Sequence, residues 1–141
     1  MKRSYFLKYI SIVMMLVSLV RFFFGVSMFN FFATARTMGT ADKELVRLAG
    51  INLGLIAACA VTELVCGFLG ALNWEEPLNA RHCVRWGVAA LLLGLAGNFM
   101  QAYTGYGVSY VAWITGAAAP VVYLAAGWHF MLATKKKTED R

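Results

Sequence analysis

The stretch YISIVMMLVSLVRFFFGVSMFNFF, residues 9–32, is apolar along almost its whole length and contains one charged residue, Arg21. A helix needs about 20 apolar residues to cross the hydrocarbon core of a bilayer, so this stretch is long enough for one crossing. A charged side chain in the middle of a bilayer is unfavourable unless it faces a partner or a water-filled cavity. The stretch therefore predicts a transmembrane helix in which Arg21 has a specific neighbour.

Three further stretches have the same apolar character, at residues 48–72, 84–103 and 111–132. Of the 141 residues, 60% are hydrophobic and only 14% are charged, a composition typical of membrane proteins and not of soluble domains. The connections are short, and short connections make consecutive helices antiparallel neighbours. The sequence thus predicts an all-α fold, in which residues 1–141 form one up-down-up-down bundle of four transmembrane helices in the lipid bilayer.

The net charge of +6 comes from basic residues at the ends of the apolar stretches. This distribution differs from the continuous basic face of a nucleic-acid-binding protein, so we expect no nucleic-acid partner. If both termini are inside, three basic residues, Arg36, Lys43 and Arg47, lie outside and nine lie inside. The inner nine are Lys2, Arg3, Lys8, Arg81, Arg85, Lys135, Lys136, Lys137 and Arg141. The positive-inside rule therefore predicts cytoplasmic N and C termini, and we expect the plasma membrane.

A second charge, Glu63, lies toward the end of the second apolar stretch. At 1.5 Å per residue, Arg21 is about 18 Å and Glu63 about 14 Å from the inner edge of the predicted bundle. An arginine side chain spans more than this difference. We therefore expect an ion pair between Arg21 and Glu63, with the alternative that one of them binds a substrate, a quinone or a proton.

Small residues mark the helix faces that are expected to pack closely. Gly87, Gly94 and Gly97 share one face of the third stretch, and Gly50 and Gly54 begin a small-residue stripe on the second. In the fourth stretch Pro120 is expected to kink the helix and free a carbonyl group. Thr40 is a candidate N-cap for the second helix.

Amides and tyrosines gather in the outer half of the predicted bundle. They either line an outward-facing polar cavity or hydrogen-bond one another between helices. The set is Asn30, Asn52, Asn98, Gln101, Tyr103 and Tyr106.

Cofactor chemistry receives little support from the sequence. Cys59, Cys66 and Cys83 lack the spacing of a zinc site, and free cysteines commonly pack as small apolar residues. His82 and His129 lie at similar predicted depth, which leaves a haem or metal pair as an alternative. We predict no metal and no cofactor, with quinone or haem as the alternatives.

The pattern RxxxG beginning at Arg21, followed by ELxxGxxG beginning at Glu63, resembles the DoxX-like superfamily of small four-helix membrane proteins. The resemblance covers mainly the first two helices. That superfamily includes oxidoreductase subunits and membrane-protein assembly factors. The resemblance implies a bundle built around the Arg21 and Glu63 pair.

Three functions remain open at this point. The first, which we favour, is a noncatalytic accessory, assembly or interaction subunit that binds a membrane-protein partner or a second copy of itself. The second is a redox or quinone-linked membrane subunit, and the third is a small proton-coupled transporter. The chain lacks the Gly-x-Ser-x-Gly elbow of hydrolases and the glycine-rich loop of phosphate-binding proteins, so enzyme activity is not the leading expectation.

Overall fold

The computed structural model describes residues 4–75, 80–104 and 107–139, and within these ranges the chain is all-helical, with no strand. Each of its four long helices is long and apolar enough to cross a membrane. These findings confirm the predicted helical class and the four apolar helices. The helices are α1, Tyr5–Thr37; α2, Lys43–Asn73; α3, Ala80–Tyr103; and α4, which consists of Tyr110–Trp113, a π-helical turn Ile114–Ala118, and Ala119–Glu139.

Most of these helices extend beyond the apolar stretches, because polar residues cap or continue their ends. The Ser4 side chain accepts a hydrogen bond from the backbone N–H of Leu7 at 3.3 Å, which starts α1 before its first apolar run. The sequence indicated Thr40 as the N-cap of α2, but Asp42 occupies that position. Instead, the backbone N–H and the hydroxyl of Thr40 both donate to the carbonyl of Ala35, near the end of α1.

The contacts between α1 and α2 run in opposite order along the two helices. At one end, the backbone N–H of Ser4 donates to the carbonyl of Trp74 at 2.9 Å. Near the middle of the pair, a Cβ added at Gly25 would lie 2.7 Å from Ile56 Cγ2. Small residues at such points allow the two backbones to approach closely, and they fix the register of the pair.

The closest approach in the bundle is between α3 and α4. A Cβ added at Gly94 would overlap the backbone carbonyl of Gly116, so the Gly94 Cα–H faces that oxygen, as in Cα–H···O contacts between helices. Pro120 has no N–H to donate to the carbonyl four residues earlier, which is that of Gly116. The π-helical turn Ile114–Ala118 ends two positions before this proline, so the helical irregularity expected at Pro120 takes the form of a wider turn.

Tyr123 lies at the centre of the buried cluster in the half of the bundle that contains both the start of α1 and the end of α2. It is fully buried, and its hydroxyl donates to the carbonyl of Cys66 at 2.8 Å. Gly70 and Gly87 lie against its ring. Neighbours in the cluster include Leu7, Met14, Cys83, Ala126 and Phe130.

Gly94→Ala should destabilise the protein by about 2 kcal/mol, because the added methyl group would overpack a contact made by backbone atoms, which cannot move aside easily. The matched control is Gly54→Ala, because a Cβ at Gly54 would meet nothing within 4 Å. Thermal unfolding in a mild detergent measures both variants. Equal stability of the two variants would contradict the tight contact between Gly94 and Gly116.

Candidate functional site

Arg21 is the central residue of the 33-residue helix α1, and its side chain is only 3% exposed. Nη1 donates to the Thr115 hydroxyl of α4 at 3.4 Å, and Nη2 donates to the Gly94 carbonyl of α3 at 3.3 Å. Nη1 also lies 3.9 Å from Oε1 of Glu63 on α2. One guanidinium group therefore connects α1 to each of the other three helices.

Glu63 is fully buried on the face of α2 that points into the bundle. Its Oε1 also accepts a hydrogen bond from the thiol of Cys59, one helical turn earlier, at 3.4 Å. Oε2 has no hydrogen-bond partner among the described residues. Arg21 Nη1 and Glu63 Oε1, 3.9 Å apart, form one ion-pair contact. The two side chains do not form the bidentate pair, with two parallel hydrogen bonds, that an arginine can make with a carboxylate.

Two glycines make room for the guanidinium group. A Cβ at Gly116 would overlap Nη1 of Arg21, and a Cβ at Gly97 would lie 3.3 Å from Nη2. A larger residue at position 116 would displace the arginine from the Thr115 hydroxyl. These glycines therefore position the charged side chain in addition to allowing close helix packing.

A small cavity of about 10 Å³ lies beside the guanidinium group, a volume that accommodates roughly one water molecule. Its polar lining consists of Arg21, Asn98, Gln101 and Thr115. Two buried nitrogen atoms of these residues, Arg21 Nε and Asn98 Nδ2, have no hydrogen-bond partner in the described part of the chain. Buried N–H groups are nearly always paired, so these two call for an acceptor.

A larger cleft of about 300 Å³ lies between the second half of α1, Gln101 of α3 and residues 107–109, which precede α4. Phe24 and Gln101 line both this cleft and the small cavity. The cleft and the cavity at Arg21 therefore adjoin at these two side chains. Its other lining residues are Met28, Phe31, Phe32, Gly107, Val108 and Ser109.

The structure brings together only part of the polar set that the sequence singled out. Asn98 and Gln101 line the small cavity, whereas Asn52 is buried on α2 with its Oδ1 unpaired and does not line it. Asn30 and Tyr103 lie on exposed faces, with Tyr103 78% exposed, and line neither cavity. Tyr106 lies outside the described residues.

The glycines predicted to pack between helices divide into two groups. Gly87, Gly94 and Gly97 lie against Leu124, Gly116 and Arg21, respectively, inside the bundle. On α2, by contrast, a Cβ at Gly50 would meet only Phe29, at 3.7 Å, and one at Gly54 would meet nothing. Gly50 and Gly54 are therefore barely used for packing within this chain.

The residues considered for metal or haem binding lie in different environments. His82 and His129 both have exposed side chains. Cys59, Cys66 and Cys83 are buried free thiols. Within the described ranges, no group of three or more histidine, cysteine, aspartate or glutamate side chains is arranged to hold a metal ion.

Three partners of the charged pair were not identified from the sequence as site residues: Thr115, the carbonyl of Gly94 and the thiol of Cys59. Cys59 precedes Glu63 by four residues, and this spacing places both on one face of α2. No comparable sequence pattern indicated that Thr115 or the Gly94 carbonyl would contact Arg21. Their contact with Arg21 depends on the relative depth of three different helices.

Comparison with protein-family models, with curated proteins and with solved structures finds no match to this chain. The resemblance to the DoxX-like superfamily therefore depends on the sequence patterns around Arg21 and Glu63 alone.

A double-mutant cycle tests the energetic coupling of Arg21 and Glu63. Arg21→Met should destabilise the protein by about 3 kcal/mol, because it leaves the Glu63 carboxylate buried without a cation. Glu63→Gln should have a smaller effect, because Arg21 retains Thr115 and the Gly94 carbonyl. The double variant should be no less stable than Arg21→Met, and additive losses would contradict the pairing.

A matched control for this cycle exists on the surface. Arg47 Nη1 and Glu44 Oε2 are also 3.9 Å apart, but their side chains are 73% and 70% exposed. Glu44→Gln should change the free energy of unfolding by less than about 0.5 kcal/mol, because solvent screens exposed ion pairs.

Proposed function

We propose that this chain is an integral membrane protein that acts as a noncatalytic accessory or assembly subunit by binding another transmembrane protein. One observation carries the proposal: the intramembrane charges are engaged in holding the chain's own helices together. Arg21 contacts α2, α3 and α4, and the space beside it holds about one water molecule. A substrate that must reach both charges has no room there.

In this proposal α1 to α4 cross the bilayer in an up-down-up-down arrangement, with both termini in the cytoplasm. The opposite order of contacts along α1 and α2 supports an antiparallel pair. Lys8 at the proposed inner end lies with its Nζ 4.4 Å from the centre of the Trp74 ring. Aromatic and basic residues commonly occur together at the membrane interface, where both a ring and a charge are tolerated.

The open small-residue stripe of α2, formed by Gly50, Gly54 and Ala58, is the proposed surface for the partner. Gly54 and Ala58 are exposed, although the other glycine faces of the bundle are covered by neighbouring helices. In lipid, helices associate through close van der Waals contact, which small residues one turn apart permit. The occupant that fits such a stripe is one transmembrane helix, from a second copy of the chain or from a different membrane protein.

The geometry supports the transporter and redox alternatives less well than it supports an accessory or assembly subunit. A transporter needs Glu63 to exchange a proton for a cationic substrate, yet the Arg21 guanidinium lies 3.9 Å from that carboxylate and repels cations. The redox alternative depends on the family resemblance. An absorbance spectrum and a lipid extract of the purified protein test it directly.

Gly54→Leu should abolish the complex with the partner helix, because the side chain would occupy the groove that admits it. Native membranes are cross-linked and solubilised in mild detergent, and the mass of the complex is measured. The mass also distinguishes a second copy from a different protein. The unsubstituted chain should migrate as a larger complex and the variant as the single chain, with unchanged thermal unfolding.

The matched control is Ala125→Leu, which places the same leucine side chain at an exposed position on α4. This variant should keep the complex. If the unsubstituted protein is a single chain in the membrane, or if both variants lose the complex equally, the proposed interaction surface is wrong.

The proposed topology predicts the reactivity of introduced cysteines in intact cells. Met38→Cys, in the outer connection and 73% exposed, should react with a membrane-impermeant maleimide. Lys135→Cys, at the exposed end of α4, should react only after the cells are permeabilised. The native cysteines are all buried and give a low background, and the reverse labelling pattern would invert the topology.

A further inference from the structure

We infer that the cleft between α1 and residues 107–109, together with the adjoining small cavity, binds an uncharged amphiphile. Its carbonyl oxygen reaches Asn98 and Arg21 in the cavity while its apolar chain lies along α1 in the cleft. The cleft is separate from the α2 stripe. The inference goes beyond the role of a subunit that binds another protein.

The first support is the shape and polarity of the cleft. Its α1 wall is formed by Phe24, Met28, Phe31 and Phe32, and it has a volume of about 300 Å³. Phe32 is eight positions after Phe24, which is about 12 Å along a helix. The wall thus offers an extended apolar surface that suits a hydrocarbon chain.

The second support is the set of hydrogen-bond donors in the small cavity, which adjoins the cleft at Phe24 and Gln101. Arg21 and Asn98 are each 3% exposed and line the small cavity. Each has a buried N–H group without a partner, Nε and Nδ2, respectively. The Thr115 hydroxyl is already engaged, because it donates to the Val111 carbonyl and accepts from Arg21. The unmet groups are donors, and a carbonyl oxygen with two lone pairs is the acceptor that satisfies two of them.

The cavity volume of about 10 Å³ admits a single oxygen atom of the ligand and not a bulky head group. A single water molecule meets the same two donors but leaves the apolar cleft without an occupant. An amphiphile accounts for both parts of the site.

The charge balance decides which amphiphile fits. Glu63 lies 3.9 Å from Arg21 and balances its charge. A carboxylate head would add a second anion next to the pair, where it would be repelled. A phospholipid is excluded by orientation, because its charged head group belongs at the membrane surface, whereas the unpaired donors are at the middle of α1. The head group that can lie at this depth, beside Arg21, is an uncharged carbonyl group.

The probe is a long-chain methyl ketone with a diazirine in its tail, photolysed with the purified full-length protein in nanodiscs. Labelling should map to the cleft wall of α1 and to residues 107–109 of the segment before α4. Excess unlabelled ketone should remove the label. A fatty carboxylate and an alkane of the same chain length should compete at least about tenfold less well, since neither supplies an uncharged acceptor.

Asn98→Leu removes the unpaired donor with little change in volume, and it should weaken ketone binding about tenfold, the effect of losing one hydrogen bond of ordinary strength. The control is Asn52→Leu, which removes a buried amide that does not line the cavity, and it should leave binding unchanged. If Asn98→Leu does not fold, Met28→Trp fills the cleft from its side wall and should abolish labelling.

Three results would overturn the inference. Equal competition by the carboxylate would show that the site does not require an uncharged head. Equal competition by the alkane would show that binding does not require a hydrogen bond from Asn98 or Arg21. Labelling spread over exposed faces of all helices, or absent from the cleft, would leave the cavity to water alone.

Discussion

The guanidinium group of Arg21 is buried and therefore needs partners for its charge and its N–H groups. The arrangement of the four helices depends on this requirement. Arg21 presents five N–H donors at the centre of an apolar bundle, where an unpaired charge is strongly unfavourable. Its partners come from three different helices: Glu63 from α2, the Gly94 carbonyl from α3 and Thr115 from α4. The depth and rotation of α1 are therefore fixed relative to each of its neighbours by one side chain.

This requirement explains why small residues surround the charge. The arginine side chain occupies space between α1, α3 and α4, and only helices that carry glycine there can still approach one another. Gly97 and Gly116 leave room for the guanidinium group, while Gly94 brings α3 against the backbone of α4. Close packing and charge neutralisation are thus provided by the same few positions, and a change at one affects both.

The sequence predicts the elements of the fold well and the site only in part. Apolar length predicts the four helices, and the similar estimated depths of Arg21 and Glu63 predict the ion pair between α1 and α2. Depth along a helix does not show which face a residue occupies, so it grouped Asn30 and Tyr103 with buried amides although both are exposed. The contacts of Arg21 with Thr115 and the Gly94 carbonyl depend on the relative depth of helices that are distant in sequence.

A buried ion pair is a poor source of stability, since apolar residues of similar volume often stabilise a core as well or better. The pair of Arg21 and Glu63 is also incompletely satisfied, with Arg21 Nε and Glu63 Oε2 unpaired among the described residues. In the bilayer that we propose for this bundle, however, apolar side chains distinguish weakly between a neighbouring helix and lipid. A charge that only one arrangement of four helices can neutralise excludes the others, so the pair contributes mainly to the specificity of the fold.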